Sequence, residues 1–175
     1  MKNILPVLLL LCSLFPARAA EVVTPAQRLA ALGLTLPAAA PVIANYVPAV
    51  RSGHLVFLAG QVARGSDDRI LTGKVGRDLT EAQAAEAART CALQLLAVLQ
   101  TEVGDLAKVK RIVRVGGFVN CTDDFTAQPK VVNGASDLLV AVLGDAGRHA
   151  RAAVGVNSLP AGAPVEIELI AEMAD

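Results

Sequence analysis

His149-Ala-Arg-Ala-Ala-Val-Gly-Val156, Asn157-Ser-Leu-Pro-Ala-Gly-Ala-Pro164, Val165-Glu-Ile-Glu-Leu-Ile-Ala171: two alternating runs flank a loop that carries Pro160, Gly162 and Pro164. In the second run Val165, Ile167, Leu169 and Ala171 share one face of a strand, and Glu166, Glu168 and Ile170 share the other. In the first, Ala152, Val154 and Val156 lie together, which leaves Arg151, Ala153 and Gly155 on the opposite face. The pattern predicts two antiparallel strands joined through a turn region. Arg151 and Glu166 would then sit on neighbouring strands, in one cleft where the register allows. A guanidinium is a planar two-pronged donor matched to a carboxylate, and a nearby glutamate can orient a water.

Working outward, the preceding chain alternates strand and helix signals. Asp123 or Asp124 is placed to cap a helix with Pro129 in or near its first turn. Val131, Ala135, Leu138, Leu139 and Val142 form that helix's apolar stripe, and Gly144 stops it. Before it, Val109 to Val119 reads as a strand in which Gly116 and Gly117 suggest a bulge or a close backbone approach. Thr80-Glu-Ala-Gln83 is a capping box that opens a longer helix, with Ala88, Cys91, Ala92, Leu95, Leu96 and Leu99 inward and Gly104 at its end. Tyr46–Val50 and His54–Val62 read as strands around Arg51-Ser-Gly53, followed by a polar loop over 63–76 with a short extended piece at Ile70-Leu71. A second capping box, Thr24-Pro-Ala-Gln27, starts a short helix that runs to about Leu32, and a Pro-rich linker follows. That helix is expected to cover an edge or a subunit surface. The order strand-strand-helix-strand-helix-strand-strand fits one mixed sheet with two helices on one face, an α+β fold.

The first residues read as an address. Met1-Lys-Asn3 is charged, Ile4 to Phe15 is a short apolar run broken by Pro6, and Ala17-Arg-Ala19 supplies the small residues of a signal-peptidase site. A retained anchor is the plainer alternative, but the run is short for a bilayer. The expected organisation is a signal peptide over 1–19, an N-terminal helix and linker over 20–40, and a domain over 41–175. The processed chain would be exported, in the periplasm, with no stable membrane anchor.

Composition narrows the chemistry. The whole chain carries 16 basic and 16 acidic residues. Loss of Lys2 and Arg18 with the leader would leave it slightly acidic, without the cationic footprint of a nucleic-acid binder. Aromatics are 3% of the chain, too few for stacking on bases. There is no phosphate-binding Gly-loop with Lys and Ser/Thr, no Gly-x-Ser-x-Gly elbow and no Cys-x-x-Cys. His54 and His149 are isolated, without ligand spacing, so no metal site is expected. Cys91 and Cys121 would remain after processing. They could pair in an oxidising compartment, though Cys91 falls on an apolar helix stripe where a buried thiol is ordinary.

Ala150-Arg151, Val154, Leu159-Pro160 and Val165-Glu-Ile-Glu168 together resemble the signature of the Rid family, the reactive intermediate deaminases also called the YjgF family. The likeness extends to Asn45-Tyr-Val47, Gly60-Gln61, Asp124-Phe125 and Asn133, and covers nearly all of the chain from about Pro41. It implies a chorismate-mutase-like fold and a homotrimer with clefts between subunits. It also implies hydrolysis, without a cofactor, of enamines or imines derived from amino acids to 2-oxo acids and ammonia. Arg151 matches the arginine that anchors the substrate carboxylate, and Glu166 the acid that helps position water. Tyr46 and Asn133 match other pocket residues, and Gly60 lends backbone groups. In this reading Arg151 and Glu166 face Tyr46 or Asn133 across the interface. Alternatives are a trimer that only binds small carboxylates and, last on charge, an endoribonuclease. The chain departs from the pattern at His149 (usually Pro), Ala153 (often Cys) and Gly155 (often Glu); the last is expected to widen the site.

Overall fold

The computed structural model describes residues 23–38, 44–65 and 67–175; the expected signal peptide lies outside them. In chain order the elements are α1 (Pro25–Ala31), β1 (Ala49–Ser52), β2 (Leu55–Val62), α2 (Glu81–Val103), β3 (Val109–Asn120), α3 (Gln128–Leu143), β4 (Ala150–Val156) and β5 (Val165–Met173). Both predicted capping boxes form: Thr24 with Gln27 opens α1, and Thr80 with Gln83 opens α2. Each satisfies two N–H groups that a helix start would otherwise leave bare. Arg64 and Ile70 make a lone bridge inside the polar loop.

The five strands form one mixed sheet in the order β1-β2-β5-β3-β4. Both long helices lie on one face of it. Leu95, Leu96 and Leu99 of α2 and Leu138 and Leu139 of α3 pack against Val56, Val115, Ile167 and Leu169 of the sheet, all at most 2% exposed. Each such side chain contributes roughly 2 kcal/mol of burial. Among the described residues no helix covers the other face, and there Val50 (54%), Phe57 (41%) and Val154 (45%) stand exposed. α1 packs on α3 and buries Leu29, so it covers a helix rather than a sheet edge. Among the described residues no helix is long and apolar enough to cross a membrane.

Three local readings need correction. The expected terminal hairpin does not form, because β4 pairs parallel with β3, and β3 separates β4 from β5. β3, α3 and β4 make a strand-helix-strand crossover, which returns the chain parallel to β3 on its free side. The eight-residue segment 157–164 is long enough to pass the end of β3, and alternation alone cannot tell a hairpin arm from an edge strand. Second, Tyr46 lies in a bend before β1 and not in the strand; Pro48, with no N–H, separates the two. Third, neither Asp123 nor Asp124 caps α3, which begins at Gln128 after Ala127 with no side-chain cap. Pro129 fits only a first helical turn, and that fixes the start further along.

Candidate functional site

Arg151 stands on β4, the edge strand, opposite Val115 of β3, and so points to the helix-bearing side of the sheet. Its Nη1 donates to Asn133 Oδ1 (2.8 Å) and to Ser136 Oγ (3.0 Å), and Nη2 donates to the Pro129 carbonyl (3.3 Å). Asn133 and Ser136 are three residues apart on α3 and therefore share a face. The Nε proton and one Nη2 proton have no partner among the described residues, nor does any acid there pair with the charge. A guanidinium is thus clamped on one side and left with adjacent donors free on the other, the arrangement a carboxylate takes two-pronged.

Ser136 has a second partner. Its Oγ lies 3.0 Å from His149 Nε2, and His149 Nδ1 lies 2.6 Å from the Gly147 carbonyl. Since that carbonyl can only accept, Nδ1 carries the proton and Nε2 accepts from the serine hydroxyl. Burial holds the His149 ring below its usual pKa. The Gly147 carbonyl opposes this, and the Arg151 charge adds to it. The sequence reading left both Ser136 and His149 outside the site. Ser136 was findable from its spacing to Asn133 on a helix; the role of His149 depends on a turn that brings its ring back over α3.

Glu166 is elsewhere. It pairs with Phe118 of β3 and Val62 of β2, on the sheet face away from the helices. Arg151 is level with Leu169, so the two residues are three positions out of step and two strands apart, roughly 10 Å in each direction. They also occupy opposite faces, and no cleft of a single chain contains both. Burial raises the Glu166 pKa first, and the charge of Glu168 adds to it. Gly60 is its close companion: a Cβ there would lie 2.9 Å from Glu166 Cδ, so only glycine leaves the carboxylate its room. Asn133 meets Arg151 within one chain, not across an interface. Tyr46 is exposed in its bend, and none of the described residues bonds its side chain.

The departures on β4 have local explanations. A Cβ at Gly155 would come within 2.9 Å of both Cys121 Sγ and Gln128 Nε2, so their side chains occupy the space the missing one leaves. Beyond them a cavity of about 280 Å³ opens between Gly155, Asn157, Thr122 and Phe125. Both cysteines are buried free thiols. Cys91 contacts the Val165 carbonyl, and burial pushes its pKa far up, with the Glu166 charge adding to that. Among the described residues no three His, Cys, Asp or Glu side chains converge as metal ligands.

A two-helix layer on one face of a mixed five-stranded sheet defines a chorismate-mutase-like domain. Residues 26–173 match the family model described as "YjgF/chorismate_mutase-like, putative endoribonuclease". The chain belongs to this family, YjgF or Rid. It is 46% identical over 149 residues to Protein TCP17 of Trypanosoma cruzi, across 85% of this chain and 93% of that protein. Among solved structures it is similar to Atu1372 of Agrobacterium tumefaciens, a protein of unknown function (46% identity, TM-score 0.79, 86% of this chain and 94% of that one). It is also similar to a "putative endoribonuclease" of Shewanella oneidensis (34% identity, TM-score 0.82, 86% and 99%).

Proposed function

We propose that the protein hydrolyses imines or enamines derived from amino acids, releasing a 2-oxo acid and ammonia, as a homotrimer exported to the periplasm. The observation that carries this is the clamped Arg151 fork with its unpaired edge. Arg151 holds the substrate carboxylate, while the backbone about Gly60 orients the nitrogen end. A water held by Glu166 attacks the imine carbon; the C–N bond breaks and the nitrogen leaves as ammonium. A protonated imine is already electrophilic, so positioning supplies most of the assistance. The raised pKa of Glu166 makes it a better proton acceptor than an ordinary carboxylate.

This reading requires association. Arg151 and Glu166 lie on opposite faces of one sheet, so a complete site needs one protomer's edge strand against another's Gly60–Glu166 region. The uncovered face with Val50, Phe57 and Val154 offers apolar area for that contact. The same split favours the second reading: Arg151 alone suffices to hold a carboxylate, and a trimer that binds without turnover needs nothing from Glu166.

The test is release of pyruvate from enzymatically generated 2-aminoacrylate. Acceleration that disappears in Arg151→Ala and falls in Glu166→Gln is expected. No acceleration, with small carboxylates still raising the melting temperature, selects the binding module. RNA cleavage undiminished in Arg151→Ala would detach any nuclease activity from this site.

A further inference from the structure

We propose that Ser136 and His149 form a hydrogen-bonded brace that sets the orientation of the Arg151 guanidinium, and so act as positioning residues for carboxylate recognition. This rests on the reading of Arg151 as the anchor.

The brace is a directed chain. The Gly147 carbonyl fixes the imidazole proton on Nδ1, so Nε2 faces Ser136 Oγ as an acceptor. The Ser136 hydroxyl gives its one proton to Nε2, which turns its lone pairs toward Arg151 Nη1 at 3.0 Å. The guanidinium can only donate, so Ser136 must present lone pairs to it, and committing the hydroxyl proton to Nε2 holds the rotor in that orientation. Asn133 Oδ1 accepts the other Nη1 proton, so both are committed and the fork cannot rotate away from its open edge. Without Ser136 the guanidinium would keep Asn133 and the longer bond to the Pro129 carbonyl (3.3 Å), with one Nη1 proton left uncommitted.

Charge reinforces the arrangement. The charged groups on the surrounding elements are Arg151 on β4, Lys110, Arg111 and Arg114 on β3, Lys130 and Asp137 on α3, Arg28 on α1, and Asp145 with Arg148 in the intervening turn. Asp145 and Arg148 pair with each other, and among these groups Arg151 is the one that lowers the His149 pKa. The ring therefore stays neutral beside the guanidinium and keeps Nε2 as an acceptor at neutral pH. An anion bound at Arg151 offsets its charge, so binding should raise the His149 pKa.

The experiment combines calorimetric titration with pyruvate and ring-nitrogen NMR of His149, on the purified protein. Ser136→Ala is expected to weaken pyruvate binding about tenfold, the scale of one lost charge-assisted hydrogen bond. It should raise KM for the imine far more than it lowers kcat. Ser136→Thr, which keeps the hydroxyl, should restore binding, and His149→Phe should weaken it in the same direction as Ser136→Ala. In the unmodified protein the ring should carry its proton on Nδ1, and its pKa should rise when pyruvate is added. Unchanged pyruvate affinity in both Ser136→Ala and His149→Phe, each with a native melting profile, overturns the brace while leaving the anchor in place. If the unmodified protein binds pyruvate no better than Arg151→Ala does, the anchor itself falls and the brace with it.

Discussion

Replacing Gly134 with alanine should destabilise this protein, against the usual sign of a glycine-to-alanine change in a helix. In an exposed helix interior alanine is worth about 1 kcal/mol over glycine, because it restricts the unfolded chain. Here α3 crosses α2 so closely that a Cβ at Gly134 would fall inside contact distance of the Ala85 carbonyl oxygen and 2.7 Å from its carbon. Backbone hydrogen-bonded within α2, here close to its N-terminal end, cannot turn aside as a side chain tip can. The helices would have to separate by about 1 Å, loosening contacts along the seam. Overpacking costs of about 1–3 kcal/mol apply, with the upper end appropriate for a backbone obstacle, so the net loss is about 2 kcal/mol. For a chain of this size that is a fall in Tm of about 4–8 °C. Asn133 and Ser136 ride on the same helix, so pyruvate affinity should drop as well. Urea unfolding followed by circular dichroism, with calorimetry for the ligand, reads both effects. A Gly134→Ala protein that is more stable, with undiminished pyruvate binding, would refute the close helix crossing on which the arginine clamp depends.

Gly60→Ala tests the other half of the site. The obstructing atoms belong to the Glu166 side chain, which can swing away, so stability should change by less than about 1 kcal/mol while imine hydrolysis is largely lost. Glu166→Gln should raise the melting temperature at neutral pH, because burial and Glu168 make the ionised carboxylate less favourable folded than unfolded. With a folded pKa above the unfolded one, that penalty grows as pH rises between the two values and is absent below the ordinary glutamate range, so the variant's advantage should vanish in acid. Cys91 and Cys121 should both resist alkylation in the native protein and both react after unfolding, with no change in mobility on reduction; a disulfide found by mass spectrometry would contradict their burial as free thiols.

Element type was readable where short-range chemistry decides it. The Thr80 and Thr24 capping boxes, the apolar stripe of α2 and the β3 run all stand where their patterns put them. Strand order was not readable, because β4 shows the same period-two alternation whether its partner is β5 or β3. That single ambiguity carried Glu166 into a cleft with Arg151 that no single chain forms. Arg151 and Asn133 were selected through family resemblance, and the structure joins them by a 2.8 Å hydrogen bond. Ser136 and His149 escaped because their value lies in a chain of hydrogen bonds spanning a helix, a turn and a strand. The neighbours of Gly155 were not readable either: Cys121 and Gln128 stand beside it at the rim of the cavity it lines, since only folding brings the end of β3 and the start of α3 there.

The most direct measurement is a crystal structure of the protein with pyruvate bound. The pyruvate carboxylate should accept from Arg151 Nε and Nη2, with Asn133 and Ser136 still on Nη1 and the Gly60–Glu166 pair of another subunit closing the far side. Pyruvate lodged away from β4, or an Arg151 edge turned to solvent with no second subunit facing it, would contradict the account.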